Sequence, residues 1–127
     1  MKVVVDTSAL LFWTLNPEQL SPAATQALEH ATEILVSSIS LWEVALKHRR
    51  GKLELPLTPT LFARELETTD RVKILSIDYA TWLGSVGLDW AHRDPADRVI
   101  VALAMIHGCS LVTSDEEIRK FYPQPVW

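Results

Sequence analysis

Val3, Val4 and Val5 form an unbroken apolar run that stops at Asp6, and after Thr7 and Ser8 the apolar pattern resumes at once. Residues 2–5 therefore predict a short buried strand with a carboxylate at its end, followed by a helix. A second helix is predicted from Ser21 through Ala31, with Ser21 as N-cap and Pro22 in the first helical position. "EILVS" (33–37) reads as a strand, and Ser38 to Arg50 as a helix closed by Gly51. "LPLTPT" (55–60) is a Pro-marked loop, in which Thr58-Pro59 starts a helix running to about Thr69. "VKILSI" (72–77) is a further strand with a short helix after it. Residues 95–107 are apolar nearly all round and predict a largely buried helix. "SLVT" (110–113) is the last clear strand, with Ser114 placed to cap a final short helix. Strands that alternate with helices predict a parallel sheet with helical crossovers, hence a layered α/β fold.

With 127 residues the chain is long enough to bury a core and too short for two domains. A hydrophobic share of 48% with 22% charged residues is that of a globular protein rather than a disordered one. The net charge of −4 means that nucleic-acid contact must rest on a local basic patch. Cys109 is the only cysteine, so no internal disulfide can form and a cytoplasmic location is expected. Three valines before Asp6 do not make a signal peptide. No stretch approaches the roughly 20 apolar residues of a membrane span.

The acids fall at the ends of these elements. Asp6 follows the first strand, Glu43 lies early in the helix after the second, Asp94 and Asp97 open the buried helix, and Asp115 follows the last strand. In an open parallel sheet the carboxyl ends of the strands share one edge, where ligands bind. Each acid also has an ordinary role. Asp6 can cap a helix, and Ser40 with Glu43 fits a capping box, with Lys47 one turn on as an ion-pair partner. Asp94-Pro95 fits an N-cap pair, and Asp115 fits the first turn after Ser114. Asp78 shares the same grammar and reads as structural. The group carries more than its members: carboxylates within about 5 Å repel by about 3 kcal/mol per pair at an effective dielectric near 20. Helix N-termini relieve only part of that. Oxygen ligands without histidine or cysteine clusters point to Mg2+ or Mn2+ rather than zinc. Such an ion suits phosphodiester hydrolysis, in which metals activate water and clamp the displaced oxygens.

Four blocks carry a family resemblance: "VVVDTSALLFW" (3–13), "VSSISLWEVALKHRRGKL" (36–53), "HRDPADRVIVALA" (92–104) and "LVTSDEEI" (111–118). In this order they resemble the PIN-domain ribonucleases, and in particular the VapC-type toxins of toxin–antitoxin pairs. The resemblance implies one domain over residues 1–127, a three-layer α/β/α sandwich around a parallel sheet, and a metal-dependent RNA-cleaving site. Carried over by motif, Asp6, Glu43, Asp97 and Asp115 are its catalytic and metal-binding acids, with Asp6, Asp97 and Asp115 on one Mg2+ and Glu43 completing a second site or orienting a water. Asp94 belongs to the same block, as a ligand or only a helix cap. The implied partners are an RNA substrate, an antitoxin whose peptide fills a groove, and a second copy in a homodimer; no membrane is involved.

Several further residues have two readings. Ser8 and Thr113 offer hydroxyls to water or phosphate, or merely cap and tie strand ends. Lys47, Arg49, Arg50 and Lys52, in "KHRRGK", can track an RNA backbone or complement a helix C-terminus. Arg98, on an apolar helix, is expected to need a carboxylate or phosphate partner, RNA included. Trp42 and Trp82 read as core, Trp13 and Trp90 as interfacial, and His92 as a surface or capping residue. The apolar stripe of residues 9–15 serves the core or a partner.

Other classes fit less well. A haloacid-dehalogenase-type phosphatase wants a second Asp two positions after Asp6, where Ser8 stands. A receiver module wants acids before the first strand, where only Met1 and Lys2 stand. A domain of the PIN fold that binds RNA or protein with little cleavage, and a housekeeping nuclease without antitoxin, remain the alternatives.

Overall fold

A computed structural model describes all 127 residues. Five strands, β1 (Lys2–Val5), β2 (Glu33–Ser37), β3 (Val72–Leu75), β4 (Ser110–Val112) and β5 (Pro125–Val126), make one parallel sheet in the order β3-β2-β1-β4-β5. Around it run α1 (Thr7–Leu15), α2 (Pro22–His30), α3 (Ser38–Arg49), α4 (Pro59–Thr68), α5 (Tyr79–Val86), α6 (Pro95–His107) and α7 (Glu116–Phe121). A single 3-10 turn covers Pro17–Gln19.

The period of two in the strands separates two cores. Val3, Val5, Ile34, Val36 and Val112 face Ala9, Leu10, Leu28, Phe62 and Leu66 of α1, α2 and α4. Val4, Leu35 and Leu111 face Val99, Ile100, Leu103 and Ala104 of α6, with Ile118 of α7. Burial on both faces explains why these strands read as apolar runs without alternation. The result is the three-layer sandwich expected.

Helix ends follow local chemistry. Ser21 Oγ accepts from Ala24 N at 3.0 Å, Thr58 Oγ1 from Leu61 N at 3.3 Å and Asp78 Oδ1 from Thr81 N at 2.9 Å. Gly108 ends α6 in the left-handed region (φ +60°), where a side chain would be strained.

Three local expectations are corrected. Residues 110–113 are not the last strand, because Pro125–Val126 form a fifth: Leu111 N donates to Gln124 O and Thr113 N to Val126 O, both at 3.0 Å. Two residues show no periodicity, and an edge strand contributing only carbonyls to these bonds tolerates Pro125. Asp115, not Ser114, caps α7, its Oδ1 accepting from Ile118 N at 2.9 Å. Ser37 caps α3, so Ser40 and Glu43 form no capping box. No helix is long and apolar enough to cross a membrane.

Candidate metal centre

The sheet order places β2 on one side of β1 and β4 on the other, so the chain reverses its winding direction between β1 and β4. The carboxyl ends of these neighbours form the switch-point crevice of an open α/β sheet. Asp6 follows β1 there, and its N–H donates to Val112 O of β4 at 3.1 Å.

Asp6 is only 3% exposed. Its Oδ1 accepts from Ala9 N at 2.8 Å, capping α1, and its Oδ2 accepts from the buried Thr113 hydroxyl. Thr113 Oγ1 in turn accepts from Asp115 N at 3.0 Å, so one hydroxyl ties the ends of β1 and β4 together. Burial pushes the Asp6 carboxyl up to about 6; the bonds from Thr113 and Ala9 oppose that rise, and the charges of Asp97 and Asp115 add to it.

Asp97 sits in the first turn of α6, where Asp94 Oδ1 accepts from its N–H at 3.0 Å. Burial raises it likewise to about 6, against the hydrogen bond from His92, with the charges of Asp94 and Asp115 raising it further. His92 Nε2 stands 2.7 Å from Asp97 Oδ2. That contact, together with the charges of Asp97, Asp115 and Asp94, holds the imidazole above its ordinary value despite partial burial. Asp6, Asp97 and Asp115 thus act on one another electrostatically, from three separate parts of the chain.

Glu43 joins by a different route. Thr7 Oγ1 lies 2.9 Å from Ser40 Oγ and within hydrogen-bond reach of Glu43 Oε1. With one proton to give, Thr7 donates to the carboxylate, and Ser40 supplies the proton between the two hydroxyls. Glu43 therefore takes Thr7, the residue next to Asp6, as its partner; the expected pair with Lys47 is absent.

The chain from Met1 to Trp127 contains no three Asp, Glu, His or Cys side chains that stand ready as a ligand group. Asp6, Asp97 and Asp115 act on one another without forming a closed cage, and Glu43 is tied to them only through Thr7, the neighbour of Asp6. A groove of about 310 Å³ between α1 and α4, lined by Trp13, Leu15, Pro56, Leu57, Phe62 and Leu66 among others, holds none of them.

The PIN domain family profile matches residues 3–122. The chain belongs to the PIN-domain family. It is 34% identical over 126 residues to Ribonuclease VapC22 of Mycobacterium tuberculosis, covering 98% of this chain and 95% of that protein. Two solved structures share the fold. One is a toxin–antitoxin complex from Klebsiella pneumoniae (TM-score 0.69, 21% identity, 98% of this chain and 96% of that one). The other is Mycobacterium tuberculosis VapC20, a Sarcin-Ricin loop cleaving toxin (0.64, 15%, 94% and 95%).

The rim of this PIN domain suits a divalent cation. Its donors are all oxygens, two of its aspartates resist ionisation through burial and mutual repulsion, and no Lys or Arg is ion-paired with any of the four acids. Of the auxiliary residues, Thr113 is bonded to Asp6, Asp94 caps α6, and Ser8 is exposed at the start of α1 without a side-chain hydrogen bond. Lys47, Arg49, Arg50 and Lys52 are exposed and free of carboxylate partners at the far end of α3, with Arg49 roughly 9 Å along the axis from Glu43.

Three expectations change here. Arg98 has neither carboxylate nor phosphate to bind, because all its donating nitrogens are taken by backbone carbonyls. Trp42 and Trp82 are 56% and 46% exposed rather than core. His92 is no plain surface residue but the partner of Asp97. It reads as a surface or capping residue in the sequence because it lies in a loop, where no helical or strand period places a side chain. Thr7 and Ser40 were missed as well, since each reads locally as an ordinary helix-start residue.

Proposed function

We propose that this PIN domain is a metal-dependent endoribonuclease and the toxin of a toxin–antitoxin pair, acting in the cytoplasm. The observation that carries the reading is the buried Asp6 at the switch point, raised to about 6 beside Asp97 and Asp115 without a Lys or Arg counter-charge. The likeness to Ribonuclease VapC22 over 98% of the chain supports it. Asp6, Asp97 and Asp115 would hold Mg2+ or Mn2+, with Glu43 beside them and Asp94 serving as the cap that orients Asp97. The bound ion supplies positive charge to the phosphodiester and acidity to water. The chain's own residues do the positioning: Thr113 fixes Asp6, His92 fixes Asp97 and Thr7 fixes Glu43. The open rim admits an RNA backbone, and the free cations of α3 add salt-sensitive affinity for it.

Purified protein is expected to cut a panel of cellular RNAs with Mg2+ or Mn2+ and to stop when the ion is chelated. RNA left equally intact by wild type and an Asp6→Asn/Asp97→Asn double variant would end the nuclease reading in favour of a binding module. Growth arrest on expression, relieved by the same substitutions, marks a toxin rather than a housekeeping nuclease.

The antitoxin and the second copy need apolar surface. The α1–α4 groove offers one such face. The other is the side of α5 exposing Tyr79, Trp82, Leu83 and Val86, beside Trp42 of α3, which is a large patch for a lone chain. A homodimer would cover the second. Sedimentation velocity should show a dimer that Trp82→Glu turns into a folded monomer; an unchanged species would move the interface elsewhere.

A further inference from the structure

Arg98 makes an unusual set of contacts for a residue next to a candidate metal ligand. Its Nε donates to Ser85 O at 2.9 Å, its Nη1 to Trp90 O at 2.6 Å and His92 O at 2.9 Å, and its Nη2 to Val86 O at 3.3 Å and Leu88 O at 2.9 Å. Ser85 and Val86 end α5, where carbonyls lack helical partners. Leu88, Trp90 and His92 belong to the strap joining α5 to α6. That strap bonds to itself through one backbone contact, Trp90 N to Leu88 O at 2.9 Å. Its shape is therefore set largely by the guanidinium and by a ring stack. The Trp90 ring lies 4.7 Å from Phe121 of α7 at 8°, and 4.7 Å from His92. The strap thus links α6, which carries Asp97, to α7, which Asp115 caps, and it ends at the imidazole that meets Asp97 at 2.7 Å.

We propose that Arg98 is a positioning residue of the metal site, clamping the strap to the end of α5 so that His92 is held against Asp97 and fixes that carboxylate for the ion. This rests on the metal role proposed for Asp97. The fork geometry is what the task requires, because a planar guanidinium reaches five carbonyls at once and a lysine ammonium has three donors on a flexible stem. Hydrogen-bond partners of ligating carboxylates tune metal affinity by roughly 10–100-fold.

The test compares wild type, Arg98→Lys, His92→Ala and the double variant. Mn2+ affinity is read by calorimetry, and the imidazole of His92 by nitrogen-15 NMR on metal-free protein at one pH. Both single variants should weaken Mn2+ binding roughly ten-fold. The double should be no weaker than the worse single, since Arg98 acts through His92. In metal-free Arg98→Lys the His92 resonance should move to that of a freely exposed histidine. An Arg98→Lys protein that melts lower yet keeps wild-type Mn2+ affinity and the wild-type His92 resonance overturns the proposal, and so do additive losses in the double. Should Arg98→Lys fail to fold, His92→Ala decides: unchanged Mn2+ affinity overturns it. A ten-fold loss, with slowed rotation of the Arg98 Nη groups in wild type, supports it. Wild type that binds no Mn2+ sinks the metal reading instead, and the metal-free His92 spectrum still judges the clamp.

Discussion

Asp6→Asn should abolish RNA cleavage and, in the same protein, raise the melting temperature measured at pH 7 without metal. The first effect follows from the proposed metal role of Asp6, in which its carboxylate would meet the ion directly. The loss should exceed the roughly 10–100-fold typical of a supporting partner. The second follows from the environment. Asp6 is 3% exposed, and its carboxyl stands at about 6 instead of 3.8. That rise corresponds to about 3 kcal/mol of destabilisation by the ionised form in the folded chain at neutral pH. Asparagine keeps an acceptor for Ala9 N and can still pair with the Thr113 hydroxyl, while burying no charge. Part of the penalty should therefore be recovered, as a rise of roughly 5 °C for a chain of this size. Calorimetry in chelator, beside a cleavage assay, checks both halves. A variant less stable than wild type would show that the acid holds the fold together rather than straining it.

Metal-free wild type should become more stable as the pH falls from 7.5 to 5, and saturating Mg2+ should shrink or reverse that trend. The sign comes from linkage. Asp6 and Asp97 both titrate at about 6 when folded against 3.8 as ordinary carboxyls. Between about pH 4 and 6 the folded chain binds more protons than the unfolded one, so stability falls as the pH rises through that window. His92, raised by Asp97, acts in the same direction: its contribution is complete below its ordinary value and is lost as the pH rises through the folded one. Glu33 and Asp78 are lowered, so their contributions fade only below their ordinary 4.5 and 3.8, outside the range tested. A bound cation competes with those protons and needs the carboxylates charged. It stabilises the folded chain by about 2.7 kcal/mol at a hundred times its dissociation constant, and less as acid weakens binding. Melting curves at several pH values, with Mg2+ or with chelator, read this directly. A flat metal-free profile would contradict the raised values of both aspartates.

What the chain reveals locally, it reveals well. Valines 3–5 state their burial outright, and Ser21, Thr58 and Gly51 mark helix ends through chemistry that needs no tertiary context. The acids at strand and helix ends were visible for a similar reason: Asp6 and Asp94 stand where caps stand, and Asp115 follows a clear strand, although Ser114 was the expected cap. Contacts across the chain are another matter. Nothing near Arg98 says that its partners are carbonyls of the strap before it, or that Thr7 will turn to Glu43. Trp42 and Trp82 misled because large apolar residues are usually, but not always, interior. β5 was silent because two residues carry no period.

The account depends on distant carboxylates becoming neighbours around one divalent ion. Crystals grown with Mn2+ and measured for anomalous scattering test that most directly. The expected map shows a peak at about 2.0–2.3 Å from carboxylate oxygens of Asp6 and Asp97, with Asp115 directly or through water. A protein that cleaves RNA in Mn2+ yet shows the ion bound elsewhere, with these aspartates uncoordinated, would contradict it.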